Sequence, residues 1–181
     1  AEQHARQRVN YSFISPQTWR PISRTEPFSF YAQSSRLDVG VKTLLATEQS
    51  ALQWARDEVA AVRLEGKNVF LMPEEVAIGQ NTWVRFSVEF GLQLVFAGGS
   101  GPQEESGREY TYCFKNEDRT IIVVTMAGPK ENFTEQAEKD LVDFLSTFRF
   151  GSQRDERGPV INEPEPPAPD LPFGRERVRE R

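Results

Sequence analysis

Few side chains in this sequence are suited to nucleophilic or metal chemistry. His4 is the only histidine and lies in a polar stretch at the N-terminus, and Cys113 is the only cysteine. A Ser-His-Asp or Cys-His pair needs a histidine inside the fold, and so does a histidine-based zinc site. Cys113 is expected to be a small core residue, with a redox thiol as the alternative. We therefore expect a protein that is not an enzyme and that binds no cofactor or metal.

Acidic residues occur in three adjacent pairs, Glu74-Glu75, Glu104-Glu105 and Glu117-Asp118. Paired carboxylates can perform acid–base work or bind a hard cation. Each pair is predicted to lie in a loop or turn, where solvated acids are common, and no EF-hand spacing is present. The glycines at 98, 99 and 101 match no phosphate-binding pattern, so a loop at the rim of a hairpin is the favoured interpretation.

Composition narrows the class of protein. The 181 residues fit one domain with a tail, and the formal net charge is −5. Because no basic stripe is present, we expect no nucleic-acid partner. No apolar run approaches the ~18 residues of a membrane span. The chain begins with Ala1, which fits an exported protein after removal of its signal peptide. We expect a periplasmic or extracellular location, with association at a membrane surface left open.

The stretch from Tyr110 to Phe150 is predicted to organise the fold. Residues 110–115 alternate in polarity, as in a strand with one buried face. Residues 120–126 are β-branched and apolar on both faces, which favours a central strand covered on both sides. An amphipathic helix is predicted to follow and to end at Arg149-Phe150-Gly151. Its N-cap is Asn132, with Thr134 as a rival.

The upstream residues supply the rest of a sheet and a second helix. Gly66 is predicted to end that helix, Pro73 to end a short strand, and Gly91 to interrupt a long one. The predicted strands lie near residues 9–13, 28–31, 37–43, 69–71 and 82–90, the helix spans about 50–65, and a mobile loop covers 98–107.

A candidate binding surface is carried by Trp83, Arg85 and Trp19. In the strand 82–90, Trp83 and Arg85 point away from the apolar face formed by Val84, Phe86 and Val88, so Trp83 is a candidate for exposure. The alternative is that a helix covers this face and makes Trp83 a core residue. Trp54 falls beside the apolar stripe of the first helix and is expected in the core.

Both ends of the chain are expected to be disordered. Residues 1–8 are polar, and residues 151–181 contain half of the prolines interleaved with charge, a composition that cannot bury enough apolar surface to fold. The tail includes PxxP spacings, which are common in any proline-rich segment. The predicted domain therefore covers residues 9–150.

The order of these elements resembles the PsbP-like and DcrB-like proteins. The resemblance covers residues 9–150 and is carried by ISPQTW near the start, IGQNTWVRFSVEF, the hairpin YTYCFKNEDRTIIVVTMAGP and the closing segment Ser146–Phe150. It is a likeness of layout and apolar signature. It implies an α/β (α+β) fold in which helices sandwich an antiparallel sheet, shared with the Mog-type Ran-binding factors.

The resemblance also implies a cellular location and a role. Bacterial members of this family are mostly secreted or periplasmic proteins, often lipoproteins, and a plant and cyanobacterial branch assists photosystem II. Ala1 differs from the lipidated cysteine of a mature lipoprotein. We expect a non-enzymatic, exported binding or assembly-accessory protein whose partner is a protein or a cell-envelope component. The alternative is a carrier of a small molecule or lipid, with a pocket between sheet and helix near Trp83 or Trp54.

Overall fold

A computed structural model describes residues 11–23, 27–95 and 102–151, with the backbone alone for 92–95 and 102–104. The segments expected to be disordered, residues 1–8 and the tail from 152 onward, lie outside the described residues.

Within these residues, seven strands form one antiparallel sheet, in the order β2-β3-β4-β8-β7-β6-β5. Strands β1 and β9 form a separate two-stranded ribbon that joins the two ends of the domain. The bounds are β1 Tyr11–Ser12, β2 Arg20–Pro21, β3 Phe28–Ser34, β4 Leu37–Thr43, β5 Asn68–Ile78, β6 Asn81–Val95, β7 Pro102–Lys115, β8 Ile121–Pro129 and β9 Arg149–Phe150.

Strand β8 lies in the interior of the sheet, between β4 and β7. Its side chains are buried on both faces: Ile122 and Val124 belong to one apolar cluster, and Ile121 and Val123 to the other. The prediction of a central strand from its unbroken apolar run is therefore confirmed.

Helix α1 (Ala51–Leu64) covers one face of the sheet. The Ser50 side chain caps it by accepting a hydrogen bond from the Gln53 backbone N–H at 3.0 Å. Ala55 and Val59 pack on the side chains that β6, β7 and β8 direct to this face. Trp54 packs half-buried against the same cluster, as its place beside the helical stripe indicated.

Helix α2 (Glu135–Ser146) and the β1–β9 ribbon cover the opposite face. Thr134, rather than Asn132, is the N-cap, and its hydroxyl accepts from the Ala137 N–H at 3.1 Å. Leu141, Phe144 and Leu145 enter the larger apolar cluster. Helices thus enclose the antiparallel sheet from both sides, which confirms the expected α/β sandwich.

Three predicted boundaries are wrong. Strand β5 continues through Pro73, because this strand lies at the edge of the sheet, where a missing N–H breaks no ladder. Strand β6 passes Gly91 without a break and pairs with β7 from Pro102 onward, so residues 102–107 are strand. Helix α2 ends at Ser146, and Arg149 and Phe150 belong to β9. The remainder of the predicted loop, residues 96–101, lies outside the described residues.

Candidate functional site

The structure corrects the placement of the two tryptophans. Trp83 is 0% exposed and Trp19 is 4% exposed, so neither forms part of an open surface. The Trp19 ring lies 4.8 Å from Phe144 of α2, centroid to centroid. Trp83 packs against aromatic rings from β7, β9 and the segment after α2, with centroid distances of 5.7 Å to Phe114, 5.6 Å to Phe150 and 5.2 Å to Phe148. The alternative interpretation of Trp83 as a core residue is the one that the structure bears out.

Arg85 follows Trp83 on the same face of β6 but reaches an open cleft. The cleft lies between strands β5, β6 and β7 and helix α2 and has a volume of about 320 Å³. This volume is at the lower end of the range for small-molecule sites. Its walls combine apolar side chains with a guanidinium group, two phenols and a carboxylate: Leu71, Arg85, Tyr110, Tyr112, Glu138, Leu141 and Val142.

Arg85 is held on its solvent side by Glu74. Its Nη2 donates to the Glu74 carboxylate across the β5–β6 pair. Partial burial by itself lowers the pKa of Arg85, but the hydrogen bonds to Glu74 and Tyr112 outweigh burial and raise that pKa. The side chain is therefore a fixed cation whose direction is set by two neighbours.

The two tyrosines present hydroxyl groups on the same side of the cleft. Tyr112 lies opposite Arg85 in the β6–β7 register, and burial raises the pKa of its phenol. The Tyr110 hydroxyl lies 3.4 Å from Glu138 of α2. Burial, followed by the nearby Glu138 charge, raises the pKa of Tyr110. Both phenols therefore remain neutral donors at physiological pH.

The same sheet face becomes strongly charged beyond the cleft. Arg108 Nη2 donates to Glu89 at 2.6 Å, and Lys130 lies 3.7 Å from the same carboxylate. The hydrogen bond from Arg108 is the main reason that the pKa of Glu89 is lowered. This end of the face is half-buried, with the Arg108 and Glu89 side chains 11% and 22% exposed, whereas Trp83 at the other end is fully buried.

The turn between β5 and β6 packs against the C-terminal end of α2, the helix whose middle borders the cleft. Gly79 has φ +63°, and a Cβ at this position would lie 2.9 Å from the Ser146 carbonyl oxygen. Nearby, the buried Asn81 side chain donates to the Phe148 carbonyl oxygen at 3.2 Å. These contacts position α2 over the sheet with little freedom to shift.

A second cleft of about 710 Å³ is bordered by other residues of α2, Gln136 and Asp140. It is open and lined by polar side chains from the segment around β2, the β3–β4 turn and α2, namely Thr18, Arg20, Gln33, Ser34, Ser35, Arg36, Gln136 and Asp140. Many of these groups already bond to one another: Arg20 donates to Gln33 at 2.5 Å, and Gln136 donates to Asp140 at 2.7 Å.

The remaining candidates for chemistry are not among the lining residues of either cleft. Two of the acidic pairs predicted in loops lie in strands, Glu74-Glu75 in β5 and Glu104-Glu105 in β7, and Glu117-Asp118 lies in the turn between β7 and β8. Cys113 is buried, and burial raises the pKa of its thiol to about 12, so it is packed as a core residue. Burial also raises the pKa of Glu109, which lines neither cleft. Within the described ranges, no group of three or more histidine, cysteine or acidic side chains is arranged to hold a metal ion.

Sequence reasoning found Arg85 but missed its neighbours. The alternation of residues 110–115 predicts a buried face that includes Tyr110 and Tyr112, and both are buried, but they also line the cleft. Glu138 lies on the helix predicted to close the domain, and nothing in its local sequence distinguishes it from the other acidic residues there. Arg85 on β6 and Tyr112 on β7 are directly opposite each other in the sheet. The sequence shows that each residue lies on an alternating strand, but only the register of β6 and β7 shows that the two side chains are neighbours.

Comparison with solved structures gives a likeness of fold. No family model matches the sequence, and no curated protein sequence matches it. The fold is similar to that of LpqN, a protein described as involved in cell envelope biogenesis of Mycobacterium tuberculosis, with a TM-score of 0.53 and 8% sequence identity over 78% of this chain and 83% of LpqN. At this identity the likeness establishes a shared fold. In the described part of the chain, no helix has the length and apolarity to cross a membrane.

Proposed function

We propose that this chain is a non-enzymatic, exported binding protein that holds a small, partly apolar molecule in the cleft between β5–β7 and α2. The observation that carries this proposal is the composition of the cleft walls. Leu71, Leu141 and Val142 offer apolar contact, while Arg85 and the two tyrosine hydroxyls offer directed hydrogen bonds. A few polar groups in an apolar concavity are typical of sites that bind small molecules.

Val142 offers a way to close the cleft without disturbing the core. It is 41% exposed at the rim on α2, so Val142→Arg places a long charged side chain across the opening. Arginine suits a helix, and substitution at a surface position changes stability by about 0.5 kcal/mol or less. We expect native mass spectrometry of protein purified from its host to detect a bound molecule on the wild type and none on Val142→Arg.

Leu64→Arg is the matched control for this experiment. Leu64 is 90% exposed on α1, the helix on the opposite face of the sheet, so the same change of charge occurs far from the cleft. This variant should carry the molecule as the wild type does. The proposal is abandoned if wild-type protein carries nothing and if, in addition, a fragment library shifts no NMR resonance of the cleft residues.

A second candidate function is that of an assembly-accessory protein at the cell envelope. The likeness to LpqN favours it, because that protein is described as involved in cell envelope biogenesis. In this case the partner is a protein or envelope component, and residues 152–181 act as a tether or docking segment. This role does not require the cleft to be occupied.

Affinity capture from a host extract tests this second candidate. We expect the full-length chain to retain a stoichiometric protein partner that a chain ending at Gly151 loses, because the proline-rich segment supplies the additional contact. Quantitative mass spectrometry of both captures gives the measurement. Equal recovery of the partner by the two chains would show that residues 152–181 do not contribute to binding. Recovery of no protein partner by either chain would contradict the accessory role.

A further inference from the structure

The second cleft, which the proposed small-molecule function does not use, is lined by polar side chains only. It lies toward the β2 edge of the sheet, the edge opposite β5, and its volume is about 710 Å³. Its lining residues supply two guanidinium groups, three hydroxyl groups, two amides and one carboxylate. The walls therefore hold two cations and one anion, although the whole chain has a net charge of −5. Such walls suit a hydrophilic ligand that carries negative charge.

Arg20 is oriented by two successive hydrogen bonds. Its Nη2 donates to Gln33 Oε1 at 2.5 Å, and Gln33 Nε2 donates to Asp38 of β4 at 3.1 Å. The partner of this guanidinium group is thus a neutral amide, and no carboxylate of the described residues forms a salt bridge with it. A guanidinium group has five N–H donors, so Arg20 retains donors and an unneutralised charge for a ligand.

Arg36 lies in a turn whose backbone disfavours its residue type. Ser35 and Arg36 connect β3 to β4, with φ values of +49° and +68°. A two-residue hairpin turn with both φ values positive favours Asn-Gly, because other side chains are strained there. Asn132 ties the turn to the segment before α2 by donating to the Ser35 carbonyl oxygen at 3.0 Å. Strained backbone is concentrated at functional sites, which gives a reason for an arginine at this position.

The charge of Arg36 is available to a ligand. Its side chain is 59% exposed, and its Nη2 lies 3.7 Å from Glu105, beyond hydrogen-bond distance. An exposed pair of this kind contributes little to stability, so a ligand can compete with it. The one carboxylate of the walls, Asp140, accepts from Gln136 at 2.7 Å and keeps further lone pairs for the hydroxyl groups of a ligand.

We propose that this cleft binds a phosphorylated sugar whose phosphate accepts hydrogen bonds from Arg20 and Arg36. Guanidinium groups match phosphate oxygens through paired, charge-assisted hydrogen bonds. The sugar hydroxyls bond to the Gln136 amide and the Asp140 carboxylate, and the volume is within the range of small-molecule sites. This site is separate from the apolar cleft and does not rest on the function proposed for it.

The test is an NMR titration of the full chain at low ionic strength with glucose 6-phosphate, glucose and inorganic phosphate. We expect glucose 6-phosphate to bind at least about tenfold more tightly than glucose, the factor expected for hydrogen bonds to a charged group. It should also bind more tightly than inorganic phosphate, which lacks the hydroxyl groups. Added salt should weaken its binding, because the two arginines are exposed.

Arg36→Gly separates binding from stability, since glycine suits the turn. We expect its Tm to stay unchanged or rise while its affinity for glucose 6-phosphate falls about tenfold. Arg20→Gln should weaken binding to a similar extent. Arg56→Gln is the matched control, because it removes the same charge from an exposed position of α1 on the opposite face of the sheet and should change neither quantity.

Each contrary result overturns a defined part of the proposal. Equal affinity for glucose and glucose 6-phosphate contradicts an anionic ligand, and equal affinity for inorganic phosphate contradicts a sugar. Unchanged binding by Arg36→Gly, or no shift of a resonance from the lining residues, contradicts the site. These resonances are distinct from those of the apolar cleft, so this failure leaves the proposed function standing. Co-sedimentation with vesicles that contain phosphatidylinositol 4-phosphate would identify a lipid head group as the source of the phosphorylated ring, and its absence a free compound.

Discussion

Replacing Trp83 by alanine is expected to lower the free energy of unfolding by about 3–5 kcal/mol, the range for truncating a large aromatic side chain in a core. The ring is fully buried among Phe114, Phe148 and Phe150, which come from three separate segments of the chain. Its loss opens a cavity that these segments cannot close together. Urea denaturation followed by circular dichroism measures the change.

Trp83→Phe provides the contrast for this result. It keeps most of the apolar volume and removes an indole N–H that has no partner among the described residues, so its cost should stay below about 1.5 kcal/mol. A different result is expected if Trp83 belongs to a binding surface. Alanine would then leave stability unchanged and reduce the capture of a partner, which would contradict the buried placement.

Gly79→Ala is expected to destabilise the domain by about 3 kcal/mol. A left-handed backbone costs an alanine about 1–2 kcal/mol, and the added methyl group must also displace the Ser146 backbone from 2.9 Å. Because Ser146 is the last residue of α2, the displacement is transmitted to the helix that borders the cleft. Thermal unfolding measures the loss of stability, and NMR shifts of the cleft residues report the movement of the helix.

Gly66 gives this prediction a control within the same chain. It also has a positive φ, +83°, but a Cβ there would contact nothing within 4 Å. Gly66→Ala should therefore cost only the backbone contribution, about 1–2 kcal/mol. If the two substitutions lower the free energy of unfolding equally, the close packing of the β5–β6 turn against α2 does not contribute to stability.

The architecture was accessible from sequence because its periodic patterns are strong. The apolar run of β8 specified a strand buried on both faces, and the spacing of Leu141, Phe144 and Leu145 specified the stripe of α2. The end of this helix was less accessible. Phe148 continues the 3.6-residue spacing, yet the helix ends before it, where the Thr147 hydroxyl accepts a hydrogen bond from the Ile14 N–H at 2.9 Å. That partner lies at the other end of the domain.

The candidate site was harder to predict because one strand face serves two environments. Trp83 and Arg85 share a face of β6, and sequence alternation assigned them the same exposure. In the structure the aromatic cluster covers Trp83, while Arg85 reaches the edge of the cleft. Where a helix crosses a sheet depends on tertiary contacts such as Gly79 with Ser146, and local periodicity contains no information about them.

The pairing of β1 with β9 has a consequence for the way this domain folds. Tyr11 pairs with Phe150, so the ribbon forms only after nearly the whole domain is available. The sheet has the same character, since β4 pairs with β8 across a long stretch of intervening chain. Such distant contacts place this topology among the slower folders, in the range of milliseconds to seconds. During synthesis the aromatic core stays incomplete until residue 150 has emerged, and a chain released earlier presents that core to solvent.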